Sequence, residues 1–227
     1  MADYVIAPPA LTTLEVVGGG LFPIRRVFCV GRNYAAHARE MGGDPNREPP
    51  FFFTKPADAV TSAAAIPYPT ITKDMHHEGE LVVAIGTGGK EIAAKDSLSH
   101  IFGYAVGCDL TRRDLQAALR KEGRPWDMAK GFDFAGPAGA IHPASKIGHP
   151  DKGAITLSVD GVEKQKGDLA DMVWSIPEIV ETLSRYVALA AGDLIFTGTP
   201  EGVGPVVRGN TLEIKVAGVG AHKFQVV

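Results

Sequence analysis

The chain has 227 residues, 45% of them hydrophobic, which is enough for the core of one β-rich domain or one domain with a small extension. Its net charge of −3, from 23 basic and 26 acidic side chains, disfavours a nucleic-acid-binding protein, because binding phosphates requires a basic surface. No apolar run approaches the roughly 20 residues that span a bilayer, and the N-terminus lacks a basic signal start, so we expect a cytoplasmic protein that makes no membrane contact.

Short strands dominate the predicted elements. In chain order they cover residues 27–30, 51–53, 81–85, 102–108, 154–159, 194–197, 212–216 and 223–227. Asp160-Gly161, between two apolar segments, is typical of a tight hairpin. The two cysteines, Cys29 and Cys108, lie in apolar strands and are expected to be buried thiols.

Three helices are predicted. The first begins with Asn33 as its N-cap and ends at Gly42. The second covers residues 111–121, with Thr111 and Asp114 at capping-box spacing, and the third covers residues 175–190, with a capping box formed by Ser175 and Glu178. Because strands outnumber helices and do not alternate regularly with them, the pattern favours an α+β or mainly β fold.

Two carboxylates begin the predicted strand at 81–85. Glu78 and Glu80 are two residues apart, so they share a strand face, where a hard divalent cation would relieve their repulsion. Asp109, directly after another strand, is the best candidate for a third ligand. A solvated polar strand end is the alternative for the glutamates, and a helix N-terminal charge is the alternative for Asp109. His76 and His77 allow a zinc site, although adjacent strand residues face opposite ways.

Other residues offer acid–base or anion-binding chemistry. His37 and Glu40 are three apart on the predicted helix, where a carboxylate could orient an imidazole that activates water, although such pairs are common on exposed helices. Lys130 follows an apolar segment and could stabilise an oxyanion, or it could be an ordinary surface lysine. The glycine-rich segment 197–204 leaves backbone N–H groups open to a carboxylate.

Together these segments resemble the fumarylacetoacetate hydrolase family. The matching segments, in the family's order, are Gly31-Arg32-Asn33-Tyr34 with His37 and Glu40, Phe53-Thr54-Lys55-Pro56, His77-Glu78-Gly79-Glu80, Gly107-Cys108-Asp109-Leu110-Thr111, Asp114-Leu115-Gln116, Trp126-Asp127-Met128-Ala129-Lys130 and residues 197–204. Within the family the chain is most similar to acylpyruvate hydrolases. Segments 47–53 and 141–150 resemble the fumarylpyruvate hydrolases of aromatic-compound degradation.

The resemblance implies a β-rich α+β fold like the family's C-terminal domain, a mixed β-sandwich or roll with a few helices. It implies one catalytic domain over residues 26–227 after an N-terminal lead-in of residues 1–25, and a homodimer. It also implies an Mg²⁺ or Mn²⁺ ion and a set of residue roles: Glu78, Glu80 and Asp109 as metal ligands, His37 and Glu40 as the water-activating pair, Lys130 as the oxyanion stabiliser, and Arg32, Gln116 and Thr199 as substrate contacts. Gly79, where the family often has a larger residue, is expected to loosen the strand.

The activity implied is hydrolysis of the carbon–carbon bond of a small keto-acid substrate, an acylpyruvate, with fumarylpyruvate giving fumarate and pyruvate as the best expectation. The same metal site could instead serve an oxaloacetate decarboxylase or a dienoate isomerase or decarboxylase. An alternative of another class is a non-catalytic, metal-dependent binder of dicarboxylates.

Overall fold

Strands make up most of the regular structure in the part of the chain that the computed structural model describes, which is residues 4–40 and 48–227, without the side chains of residues 38–40. The strands are β1 (Thr13–Glu15), β2 (Leu21–Pro23), β3 (Arg26–Gly31), β4 (Phe51–Lys55), β5 (Val60–Thr61), β6 (Ala65–Ile66), β7 (Met75–His77), β8 (Gly79–Ile85), β9 (Ile101–Cys108), β10 (Thr111–Arg112), β11 (Gly136–Pro137), β12 (His142–Pro143), β13 (Ala154–Val159), β14 (Val162–Asp168), β15 (Asp193–Phe196), β16 (Gly204–Val206), β17 (Thr211–Val216) and β18 (Gly220–Val226). The helices are α1 (Ala35–Glu40), α2 (Arg113–Lys121), α3 (Asp127–Lys130), α4 (Ala144–Ile147) and α5 (Ile176–Tyr186). The fold is therefore the predicted strand-rich α+β fold.

Two large sheets organise these elements. A six-stranded mixed sheet has the order β12-β9-β8-β15-β3-β4, and a five-stranded sheet has the order β14-β13-β17-β18-β6. A smaller, three-stranded sheet has the order β10-β7-β16. In the six-stranded sheet β8 pairs antiparallel with β9, so the segments that carry Glu80 and Asp109 are adjacent.

The main core lies between the two large sheets, and strand alternation explains why. In β8, Leu81, Val83 and Ile85 belong to this core, while Val82 and Ala84 face a second apolar cluster on the other side of the sheet. Because both faces are covered, every residue of β8 is buried.

The five-stranded sheet has one buried face. In β17, Leu212, Ile214 and Val216 are buried, while Lys215 between the last two is exposed, which is the alternation expected of a sheet with one face in water.

The predicted Asp160-Gly161 hairpin between β13 and β14 is confirmed. No helix in the described residues has the length and apolar character needed to cross a membrane.

Residues of the predicted lead-in contribute to the second apolar cluster. β1 and β2 form an antiparallel hairpin that buries Leu14 and Phe22, and Ile24 follows them into the same cluster. The assignment of residues 1–25 as a lead-in to a catalytic domain over residues 26–227 stays a prediction.

The predicted cap of α1 is wrong. α1 begins at Ala35, so the residue directly before the helix is Tyr34 and not Asn33. The Asn33 amide instead donates to the carbonyl oxygens of Trp174 and Thr197, and its oxygen accepts from the N–H of Trp174, so it ties together distant segments. Gly42, the predicted end of the helix, lies outside the described residues.

The predicted cap of α2 is also wrong. α2 starts at Arg113, because Thr111 belongs to β10 and pairs with His76 of β7. Asp114 accepts hydrogen bonds from Thr72 and Lys73 instead of completing a capping box.

The capping box of α5 is confirmed, with the Ser175 N–H donating to Glu178 at 3.0 Å. α5 ends at Tyr186, four residues before the predicted end. Val187 is extended, and Leu189 forms a bridge with Gly89 that removes this segment from the helix.

Candidate metal centre and its cavity

Three buried carboxylates converge at one end of the paired strands β8 and β9. Glu78 immediately precedes β8, Glu80 is its second residue, and Asp109 follows β9. Their nearest oxygens all lie within 4.8 Å of one another. Neither His76 nor His77 joins this group in the part of the chain described, since His76 bonds to Asp74 and the His77 ring bonds to a buried glutamine. An all-oxygen site fits Mg²⁺ or Mn²⁺ better than Zn²⁺.

Three cations surround these carboxylates. Lys130 Nζ lies 2.8 Å from Glu78 Oε2 and 2.7 Å from Asp109 Oδ2. Lys55 Nζ lies 2.7 Å from Asp109 Oδ1, and Arg113 donates to Glu78 Oε1. Glu78 and Asp109 are thus each paired with two cations.

Glu80 is the carboxylate that lacks such compensation. Burial, and the nearby charges of Asp109 and Glu78, raise the pKa of Glu80 well above its usual range. Burial also opposes ionisation of Glu78, but Lys130 and Arg113 outweigh that effect and hold its pKa well below the usual range.

The residues present fit a divalent cation. Among the described residues, Glu80 accepts a hydrogen bond from the Gly198 N–H, which lies 2.7 Å from Oε2. Asp109 Oδ1 makes no hydrogen bond of acceptable geometry in the described residues, although the Lys55 ammonium is within ion-pair distance. A bound cation would stabilise the ionised form of Glu80 and satisfy the remaining lone pairs of Asp109.

Backbone geometry brings the glycine-rich loop to Glu80. Gly198 has φ of +93°, a conformation that side chains rarely adopt, and a Cβ there would lie 2.7 Å from Asn33 Cβ. Glycine is therefore required for the close approach that lets its N–H reach Glu80. The predicted anion-binding loop thus donates to a protein carboxylate at this position.

Gly79, expected to loosen the strand, is instead tightly packed. A Cβ at this position would lie 3.2 Å from side-chain atoms of both Leu157 and Ile214, on the five-stranded sheet. The glycine lets the second sheet lie directly against the segment between Glu78 and Glu80.

Gln165 of β14 holds that segment from the five-stranded sheet. Its Oε1 accepts from the Gly79 N–H at 2.9 Å and lies 3.0 Å from His77 Nδ1. Its Nε2 donates to Thr199 Oγ1 and to the Pro200 carbonyl, both at 2.8 Å, and the Thr199 hydroxyl donates to the Gly79 carbonyl. This buried amide uses both its donors and its acceptor to join the segment that carries Glu78 and Glu80 to the glycine-rich loop.

A cavity of about 440 Å³ opens onto the centre. Its lining includes Glu78, Glu80 and Lys130 together with His37, Arg32, Gln116 and Thr199, so the structure brings these predicted residues to one place. Gln116 accepts from Arg113 at 2.5 Å. Arg32 has φ of +59° and places its guanidinium 5.8 Å from the Phe51 ring centroid. The Glu40 side chain lies outside the described residues, and its role stays a prediction.

Three residues of the site were missed by the sequence analysis. Lys55 lies in a segment that matches the family, but the sequence analysis gave it no role. A lysine at the end of a Phe-rich strand indicates an ammonium that is buried and therefore paired with a polar partner. Arg113 precedes Gln116 by three residues, which is helix-face spacing. Gln165 lies between lysines in an edge strand, and no local pattern distinguishes it.

Comparison with known proteins agrees with this geometry. The family model for the fumarylacetoacetate (FAA) hydrolase C-terminal domain matches residues 26–227. The chain therefore belongs to the fumarylacetoacetate hydrolase family. A crystal structure of fumarylpyruvate hydrolase from Pseudomonas aeruginosa, in complex with Mn²⁺ and pyruvate, is 51% identical with a TM-score of 0.97, and the match covers 99% of each chain.

More distant relatives carry other activities. A mitochondrial oxaloacetate tautomerase from Arabidopsis thaliana is 37% identical over 88% of this chain and 90% of its own. A mitochondrial oxaloacetate decarboxylase from Dictyostelium discoideum is 38% identical over 86% of this chain and 90% of its own.

Proposed function

We propose that this protein is a divalent-metal-dependent hydrolase that cleaves the carbon–carbon bond of an acylpyruvate. The observation that carries the proposal is the convergence of Glu78, Glu80 and Asp109 at a cavity that also holds His37 and Lys130. The similarity to a fumarylpyruvate hydrolase over the whole chain supports fumarylpyruvate as the preferred substrate. A role in the degradation of aromatic compounds, which the family resemblance implies, is part of the proposal.

The three carboxylates would hold Mg²⁺ or Mn²⁺, which supplies Lewis-acid stabilisation of negative charge on the keto-acid end of the substrate. His37 accepts a proton from water as the water oxygen bonds to the distal carbonyl carbon. When that adduct collapses, the bond to the methylene carbon breaks. Its electron pair leaves with pyruvate as the enolate, which takes back a proton at carbon to give pyruvate, and the acyl group leaves as fumarate.

Lys130 is suited to stabilise the alkoxide formed by the attack of water. Burial alone would lower the pKa of Lys130, but the charges of Asp109 and Glu78 outweigh burial and raise that pKa, so the side chain stays an ammonium. A fixed ammonium in a water-poor site stabilises developing negative charge at little reorganisation cost.

A second candidate is chemistry on oxaloacetate. The two relatives named for oxaloacetate reactions support it, and oxaloacetate carries the same keto-acid end as an acylpyruvate. Tautomerisation and decarboxylation need no attack by water, so they would not require His37 as a base for water.

A substrate panel tests the proposal. Fumarylpyruvate, maleylpyruvate, acetylpyruvate and oxaloacetate are each incubated with the protein and Mg²⁺, and then with excess EDTA. The loss of enol ultraviolet absorbance and the products are followed. We expect pyruvate and fumarate from fumarylpyruvate, with the rate abolished by EDTA. Faster conversion of oxaloacetate would favour the second candidate, and ligand binding without turnover would favour the non-catalytic binder.

The homodimer implied by the family resemblance is part of the proposal. Light scattering of the purified protein measures the molar mass directly, and a value equal to one chain of 24.0 kDa would contradict it.

A further inference from the structure

The aromatic ring of Phe53 lies against the Lys130 ammonium. Lys130 Nζ is 4.9 Å from the centroid of this ring, within the distance of about 6 Å at which a ring face attracts a cation. Both side chains line the active-site cavity. Only 3% of the Lys130 side chain is exposed, so little water screens the attraction, and a cation–π contact is strongest when it is desolvated.

The carboxylates that contact Lys130 are also the proposed metal ligands. The ammonium lies 2.8 Å from Glu78 Oε2 and 2.7 Å from Asp109 Oδ2, and these contacts take two of its three N–H donors. A cation bound by these carboxylates would draw on the same negative charge. The Phe53 ring is neutral and is no metal ligand, so its attraction for the ammonium does not depend on the metal.

Strand β4 contacts Lys130 at two places. Phe53 and Lys55 are two residues apart in this strand, so they lie on the same face of it. The Lys55 ammonium donates to the Lys130 carbonyl oxygen, while the Phe53 ring contacts the Lys130 ammonium. One face of β4 therefore holds both the backbone of Lys130 and the end of its side chain, which restricts where the ammonium can move.

Trp126 fixes the Phe53 ring relative to helix α3. The two rings meet edge to face, with centroids 6.2 Å apart. Trp126 directly precedes α3, and its carbonyl oxygen accepts from the Lys130 N–H at 3.0 Å. The residue that starts the helix carrying Lys130 therefore also packs against the ring that faces the ammonium.

We propose that Phe53 is a positioning residue for Lys130, and that its ring face holds the ammonium where the alkoxide forms. The inference rests on the proposed function, in which Lys130 stabilises that alkoxide. Because the alkoxide develops only as water attacks, a weaker ring face should lower kcat and leave KM nearly unchanged. A side chain that merely filled space would not respond to the electron density of its ring.

Fluorinated phenylalanines at position 53 test the proposal. One, two or three fluorine atoms withdraw electron density from the ring face stepwise and change the size of the ring little. We expect kcat for fumarylpyruvate to fall with each fluorine, by roughly 5–30-fold for the trifluorinated ring, with KM within about twofold. The same series at Phe52, whose ring packs against Tyr186, is the matched control and should leave kcat unchanged. No trend at position 53, or an equal trend at position 52, would overturn the proposal.

A second variant distinguishes Lys130 from Trp126 as the partner through which the Phe53 ring acts. Trp126→Leu removes the indole ring and keeps the backbone carbonyl that accepts from Lys130. The fall of kcat with fluorine content should persist in this variant, because the ammonium still faces the Phe53 ring. A trend that disappears there would show that fluorine acts through the Trp126 contact, and the proposal would be wrong.

Nuclear magnetic resonance of the metal-free protein separates this inference from the proposed function. The ring current of an aromatic face shifts nearby methylene protons upfield. In protein labelled with ¹³Cε-lysine, the Lys130 signal, identified by its loss in Lys130→Arg, should lie upfield of the exposed lysines and return toward them in Phe53→Leu. An unshifted Lys130 signal refutes the contact, whereas absence of turnover on every acylpyruvate refutes the proposed function alone.

Discussion

Lys55 and Asp109 form a buried ion pair beneath the metal centre, with Nζ 2.7 Å from Oδ1. The same ammonium donates to the carbonyl oxygens of Leu110 and Lys130. The Lys55 side chain therefore contacts Asp109, a proposed metal ligand, and the residue that follows it. It also holds the backbone of Lys130, whose ammonium contacts the other oxygen of the same carboxylate.

Lys55→Met should destabilise the metal-free protein by about 3 kcal/mol or more, because removing one partner leaves a buried charge uncompensated. Thermal unfolding should show a drop of several degrees. Mg²⁺ should raise the melting temperature more in the variant than in the wild type, since the cation restores positive charge beside Asp109. Lys215→Met, at an exposed pair, is the control, and equal effects of the two substitutions would contradict the role of Lys55.

His37→Ala should lower kcat by roughly 10²–10⁴-fold, the usual contribution of a general base. His37 does not belong to the group of three residues that could ligate the cation. The Mg²⁺ affinity of the variant, measured by calorimetry, should therefore equal that of the wild-type protein. Full activity in this variant would remove His37 from the mechanism, and a large loss of metal affinity would indicate that the substitution acts through the metal site.

Glu78→Gln should weaken Mg²⁺ binding by at least the 10–100-fold that substitutions beside a metal ligand cause. The substitution keeps the side-chain volume and removes one negative charge, which leaves Lys130 and Arg113 less compensated. Calorimetric titration measures the change, and Glu213→Gln on the exposed face of β17 is the matched control. Unchanged affinity would exclude Glu78 as a ligand.

Gln165→Leu should cost about 1–3 kcal/mol for each buried group left without a partner, and those groups include the Gly79 N–H and the His77 ring. Because Gly79 lies between Glu78 and Glu80, two of the proposed metal ligands, Mg²⁺ affinity should fall as well. Lys166→Met, at the neighbouring exposed position, tests whether the effect is specific to the buried amide. A stable variant with normal Mg²⁺ affinity would show that the segment holds its position without Gln165.

The buried His222 should make stability depend on pH. Burial lowers the pKa of His222 from 6.5 to about 4, and its Nε2 has no hydrogen-bond partner in the described residues. Between those values the unfolded chain binds more protons than the folded one, so this contribution is present above pH 6.5 and is lost as the pH falls toward 4. The loss is at most about 3 kcal/mol. The melting temperature of His222→Phe should fall less than that of the wild type over this range, and identical pH profiles would contradict the prediction.

Patterns among residues that are close in sequence were enough to predict much of the fold and part of the site. Alternation along an extended segment predicts that Glu78 and Glu80 lie on the same side, and an oxygen of each lies within 4.8 Å of the other. The Asp160-Gly161 hairpin and the capping box of α5 follow from the chemistry of neighbouring residues. These features depend on contacts between residues close in sequence, so the sequence by itself determined them.

Tertiary structure alone decided the contacts that complete the centre. Lys55 reaches the Lys130 carbonyl across 75 residues of sequence, and Gln165 reaches Gly79 across 86. Asn33 resembles a helix cap when only its neighbours are considered, yet its amide donates to Trp174 and Thr197, which are 141 and 164 residues away in the sequence. The physical reason is that sheet order and register set which distant side chains meet, and burial then forces each polar group to take the partner that lies within reach.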